Sequence, residues 1–227
     1  KEVTVSEADV KAKYDNDLAV QKSNIESSPS YIEQQLLFGT TVLYYPEGYM
    51  YAKHILISFE SATRGAAAIA YTNGDISAYN KIIREGYPEI EERLNQVLRE
   101  LDSDADFDQL AAKYNEDAQM NEEPFKSNGF LIGPYSSFDI AEYTEALTTL
   151  TKQGDYSEPV VSYLGGFIIY CEKMLSGAVP FEEIQSEYTE GLLQQQKAIT
   201  WSTLSQQWFE DAEENGELKL YTDKLKF

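Results

Sequence analysis

At 227 residues the chain is long enough for one large domain or two modest ones, and its 42% hydrophobic and 13% aromatic content is ample for a packed core, which excludes global disorder. A net charge of −21 repels phosphate groups and provides no polybasic patch, so nucleic acid and anionic lipid are excluded as expected partners. No apolar run approaches the roughly 20 residues of a membrane span.

The first residue is Lys1 rather than methionine, which suggests a mature or trimmed chain, compatible with removal of a leader or anchor that the sequence itself does not show. Ser6 is an expected N-cap with acidic residues in the turn behind it. Val10, Tyr14, Leu18 and Ile25 follow at helical spacing. Ser28-Pro29 begins a second helix, carrying Tyr31, Ile32, Leu36 and Phe38 and stopping at Gly39. Pro46-Glu47-Gly48 then breaks any helix and introduces a strand, Tyr49–Phe59, rich in β-branched and aromatic residues and expected to be half-buried. That strand holds His54, the only histidine in the chain. Taken alone, His54 is either a catalytic group titrating near neutral pH or a core histidine held by hydrogen bonds.

Residues 60–87 carry an alanine run, the turn signal Asn73-Gly74 and a helical patch near Tyr79, and read as an irregular insertion. Pro88 opens a helix to Leu101, with Ile90, Leu94, Val97 and Leu98 on one side. A short helix with Phe107, Leu110 and Tyr114 comes next, then a strand at Gly129–Gly133 and a helix at Tyr143–Leu150. Val160-Val161 and Phe167–Met174 are the last sheet strands, and the single cysteine, Cys171, is expected to be a buried, inert thiol. From Phe181 a long apolar stripe runs through Tyr188, Leu192 and Leu204 to Trp208, ending at Asn215-Gly216, and Leu218–Tyr221 reads as a terminal strand.

The spacers are too short for a regular parallel βαβ series, so an α+β fold is expected: a small antiparallel or mixed four-stranded sheet with helices. The two end segments have apolar faces without local partners, so they are expected to pack on each other. The expected division is 1–46 for the N-terminal helical segment, 47–176 for the sheet domain and 177–227 for the long C-terminal helix.

Several local motifs resemble the parvulin-type peptidyl-prolyl isomerases. Ala52-Lys53-His54-Ile55-Leu56-Ile57 is similar to that family's first strand. Asp106-Phe107-Asp108-Gln109-Leu110-Ala111 with Tyr114-Asn115-Glu116-Asp117 resembles its following helix end, and Gly129–Tyr135 its next strand. Tyr143-Thr144-Glu145-Ala146 resembles its later helix, Gly154–Val160 its "G..S.PV" stretch, and Gly166-Phe167-Ile168-Ile169 its last strand. Together they cover about 48–175 in the family's order. The flanking helices, with Val179-Pro180-Phe181-Glu182-Glu183-Ile184, resemble extracytoplasmic foldases of the PrsA and SurA kind.

The resemblance implies an extracytoplasmic folding factor, secreted or membrane-anchored, acting on unfolded or proline-containing client chains. Neither a cofactor nor a metal is implied. It places Ile132, Ile140, Tyr143 and Phe167 at a proline slot and His54, Asp117 and Ser162 at a polar catalytic floor. Phe167 stands where the family has a second histidine, so the implied isomerase activity is weakened. The alternative is a non-catalytic holdase using the same fold for binding. The apolar end helices would also serve a homodimer.

Overall fold

The computed structural model describes residues 2–136 and 140–217. The expected terminal strand at Leu218–Tyr221 lies outside the described residues. Contacts divide the chain into two compact units, one made of residues 1–24 with 178–227 and the other of residues 25–177. Residues 25–46 therefore group with the sheet.

In the first unit, α1 (Glu7–Ser27) meets the start of α9 (Phe181–Glu214). Ser6 caps α1, its hydroxyl accepting the Asp9 N–H at 3.2 Å. Val10 and Tyr14 are buried on the inner face of α1, as the helical spacing requires. The Tyr14 ring lies 5.3 Å from Phe181 and 6.0 Å from Tyr188. Its hydroxyl donates to the Val179 carbonyl at 2.5 Å. The two ends of the chain thus supply the apolar partner each was expected to need.

The second unit is built on a four-stranded antiparallel sheet in the order β2-β1-β4-β3. Its strands are β1 (Tyr44–Ser58), β2 (Phe130–Ile132), β3 (Val160–Val161) and β4 (Gly165–Ala178). The expectation of a half-buried β1 is corrected: β1 is central, and both of its faces are covered. Met50, Ala52 and Leu56 join Phe167, Ile169 and Cys171 in one core. Ile55, Ile57 and Ile168 join the other. Period-two alternation along the strand sorts neighbours to opposite sides. The first core is closed by α8 (Ala141–Leu147), and the second by α5 (Glu91–Leu101) and α6 (Phe107–Tyr114).

Two glycines let backbones meet. Gly165 sits at φ +149°, and a Cβ there would lie 2.1 Å from the Ile57 carbonyl oxygen. Gly129 sits at φ +79° against the Ala52 backbone.

The segment 60–87 is not irregular. It forms α3 (Ser61–Thr72) and α4 (Ile76–Gly86), joined through Gly74 at φ +68°. Asp75 caps α4 by accepting the Ala78 N–H at 2.9 Å. The α3 helix buries only Ala67 and Ala70, a stripe too narrow to show as an apolar period. The remaining helices are α2 (Tyr31–Leu37) and the four-residue α7 (Phe125–Asn128), and no described helix is long and apolar enough to cross a membrane.

Candidate active site

The alternation that builds the first core also aims His54 into it, between Ala52 and Leu56. The residue is only 2% exposed. Its Nε2 lies 2.9 Å from Asp117 Oδ2, and its Nδ1 lies 3.1 Å from the Tyr143 hydroxyl. An ionised carboxylate can only accept, so Nε2 carries a hydrogen. In the neutral ring, Nδ1 is then the acceptor for the Tyr143 O–H.

Asp117 is held in place by the segment after α6. Asn115 Oδ1 accepts the Leu56 N–H at 2.8 Å and the Asp117 N–H at 3.2 Å. Glu116 N–H donates to the Leu56 carbonyl at 2.9 Å, and Ser58 N–H donates to the Glu116 carboxylate at 2.7 Å. The Arg93 guanidinium also binds Glu116. Asp117 Oδ1 accepts the Gln119 N–H at 2.8 Å. The His54 hydrogen bond, with help from the Gln119 and Met120 N–H groups and against partial burial, holds the Asp117 carboxyl below the usual range. Burial, then the Asp117 charge, pushes the Tyr143 hydroxyl far above the phenol range, so it stays protonated.

Three aromatic rings enclose the imidazole. Phe167 meets it edge-on at 5.0 Å, Tyr143 edge-on at 5.6 Å, and Phe130 stacks over it at 6.0 Å. Phe130 pairs with Ala52 across β1 and β2, which places it on the His54 side. Reasoning from sequence missed Phe130 and Asn115. Both lie inside motifs already singled out, and the signal for Phe130 is the β1–β2 register, which is non-local.

The structure thus brings His54, Asp117, Tyr143 and Phe167 together. Ile132 and Ile140 share their core and are 3% and 5% exposed. Ser162 lies in the β3–β4 turn, where it is fully buried and its hydroxyl oxygen accepts the Leu164 N–H at 3.1 Å. It takes no part in the two His54 hydrogen bonds. With Tyr143 1% and Phe167 2% exposed, the four residues expected to form a slot are packed in one core rather than around an opening. A cleft of about 440 Å³ opens beside them, lined in part by Met50, Pro134, Thr144, Leu147 and Leu150.

The α3–α4 hairpin borders this region. Tyr71 stacks on Tyr163 at 5.1 Å, and Tyr79 donates to Glu142 at 3.4 Å. Those two partners are the sequence neighbours of Ser162 and Tyr143. On the other face of β1, Lys53 is buried and reaches Asp108 at 2.9 Å and Glu172 at 3.0 Å. Burial pulls its pKa down, but the two carboxylates outweigh that and raise it, so Lys53 is a charged structural tie. Burial, then the Asp155 and Glu172 charges, push the Cys171 thiol up to about 11, which makes it unreactive at neutral pH. Among the described residues no cluster of His, Cys, Asp or Glu has the make-up of a metal site.

A four-stranded antiparallel sheet with one histidine on its central strand, tied to an acidic loop and ringed by aromatics, defines a small α+β domain of the parvulin kind. The family described as Rotamase, PPIC-type PPIASE domain, matches residues 54–173, and the chain belongs to that family. The chain is also 28% identical over 141 residues to the foldase protein PrsA of Clostridium perfringens (strain 13 / Type A), a match covering 61% of this chain and 40% of that one. It therefore spans well under two thirds of that relative's length. Among solved structures it is similar to PrsA from Bacillus subtilis, at 16% identity and a TM-score of 0.38, covering 99% of this chain and 60% of that one. It is similar also to a SurA-like chaperone of Campylobacter jejuni, at 18% identity and a TM-score of 0.37, covering 92% and 63%.

Proposed function

We propose that the chain is an extracytoplasmic protein-folding factor whose sheet unit takes up proline-containing segments of client polypeptides and speeds rotation of the X–Pro bond. That rotation has a barrier of about 18–20 kcal/mol and takes tens of seconds or more unaided. No covalent step is needed. A catalyst has to favour the twisted amide, in which the proline nitrogen loses conjugation, over the planar one. Fixed polar groups in an apolar setting do this best, because they do not have to reorganise as the bond turns.

The observation that carries the reading is the Asp117–His54–Tyr143 chain, whose hydrogen bonds set the orientation of each member inside an aromatic enclosure. Ser162, fully buried on the β3–β4 turn, would complete the floor. The slot formed by Ile132, Ile140, Tyr143 and Phe167 has to part before a proline ring enters, so turnover is slow. The same burial favours a second reading, a holdase that binds clients without isomerising them.

Isomerisation of a proline tetrapeptide separates the two. A rate above background that His54→Ala abolishes supports catalysis. No rate above background, with suppression of client aggregation retained, supports the holdase. Phe167→His restores a second imidazole beside the first, and we expect it to raise the rate about tenfold if that missing group limits activity. An unchanged rate in a folded variant removes this explanation. Attachment to a membrane through a preceding segment and pairing of two copies extend the proposal, and are read by cell fractionation and sedimentation.

A further inference from the structure

The α3–α4 hairpin is fixed at its base and touches the candidate site at its tip. At the base, Glu89 accepts the Glu60 N–H at 3.1 Å and the Thr63 hydroxyl at 2.6 Å. Gly86 packs there so closely that a Cβ would lie 2.5 Å from the Thr63 methyl and 3.4 Å from the Phe59 ring. At the tip, Tyr71 and Tyr79 flank the 73–75 turn, and their rings lie 5.6 Å apart. Ile69 and Ile76 beside them stay 66% and 59% exposed, so tyrosines rather than a broad aliphatic face hold the tip down.

Tyr79 is buried, and its hydroxyl donates to Glu142 at 3.4 Å. Burial, then the Glu142 charge, holds that hydroxyl well above the phenol range, so it keeps its hydrogen. Tyr71 stacks on Tyr163 at 5.1 Å. Glu142 precedes Tyr143 in α8, and Tyr163 follows Ser162 in the β3–β4 turn. The tip therefore reaches both the helix that brings the Tyr143 hydroxyl to His54 and the turn that holds Ser162. With seven residues, α8 is too short to stay helical without tertiary contacts. Its inner face buries Tyr143 and Leu147, and Glu142 gives it an outer hold.

We propose that Tyr71 and Tyr79 are positioning residues that clasp α8 and the β3–β4 turn over the imidazole, so that a proline segment enters when the hairpin tip lets go. This role rests on the proposed slot of Ile132, Ile140, Tyr143 and Phe167, and it adds the element that sets how often that slot is open. A binding-competent state that is populated only in part lowers apparent affinity by that fraction. Loosening the tip therefore strengthens peptide uptake, whereas losing a group that touches the substrate weakens it.

The test uses the whole chain, a labelled proline tetrapeptide and amide hydrogen exchange. In Tyr79→Phe the amides of residues 144–147 and of Leu164 should exchange about threefold faster, and about tenfold faster with Tyr71→Ala added, while those of α5 keep the parent rate. Peptide affinity should rise by similar factors, and KM should fall with it while kcat does not rise. Glu142→Gln keeps an acceptor for Tyr79 and should behave as the parent does. Glu142→Ala should match Tyr79→Phe and add nothing to it. Three results would overturn the clasp: unchanged exchange along α8 in folded Tyr79→Phe with Tyr71→Ala, weaker peptide binding by that variant, or equal effects of Glu142→Gln and Glu142→Ala. A parent chain without isomerisation removes the catalytic reading alone, because exchange along α8 still decides the clasp.

Discussion

A neutral imidazole has one donor and one acceptor, and His54 uses both on groups that come from distant parts of the chain. Tyr143→Phe removes the donor to Nδ1 and leaves a buried acceptor unpaired, which costs about 1–3 kcal/mol. The urea midpoint should fall accordingly, and an unchanged midpoint would mean the Tyr143 hydroxyl does not hold the ring. Asp117 gives a pH test. Its folded pKa lies below its unfolded one, so its contribution to stability is present above the ordinary carboxylate value of about 4 and is lost as pH falls through the lower, folded value. Asp117→Asn should flatten stability against pH in that acid window and leave the slope near neutral pH unaltered. A profile parallel to that of the parent chain would refute the assignment. His54, Asp117 and Tyr143 could be singled out from their motifs. Their mutual bonding could not, because it depends on how α8 and the loop after α6 dock on β1.

At the scale of elements, β1 and β4 organise everything around them, and their cores can be read from alternation. Met50, Ala52 and Leu56 share one side, Ile55 and Ile57 the other. What alternation cannot tell is whether a strand is central, since that depends on pairing with segments more than seventy residues away. The Gly165 backbone shows how tightly the central pair is set. Gly165→Ala places a Cβ against the Ile57 carbonyl at a φ that L residues avoid, and should cost about 1–3 kcal/mol from strain alone. A thermal scan showing no loss would mean that the β1–β4 approach is looser than described. The α3–α4 hairpin eluded the apolar pattern for the opposite reason: its contacts run through alanines and a few tyrosines, not a broad aliphatic face.

At the scale of the molecule, charge and the division into two units govern behaviour. With −21 charges on 227 residues, self-repulsion opposes compaction, so added salt should raise the melting temperature as the screening length shortens from about 30 Å at 0.01 M to about 10 Å at 0.1 M. A melting temperature that falls over that range would indicate instead that the ion pairs outweigh the repulsion. The helical unit should also be uneven. Amides in the distal half of α9, which contributes no buried residue, should exchange faster than those between Phe181 and Leu192. Uniform protection along the helix would show that something covers its end.

The order of motifs, the strand carrying His54 and the amphipathic stripes at both ends are local properties, and they sufficed for the α+β class and for the family. Apolar spacing also announced that the two ends needed a partner, because an isolated amphipathic helix leaves its apolar face in water. Only the folded chain decided which partners the imidazole took, that Ser162 stayed with its own turn, and that Phe167 and Tyr143 packed into the core beside the imidazole. Those outcomes depend on the register between strands and on the docking of α8, which are contacts across long loops and leave no periodic mark on the residues that make them.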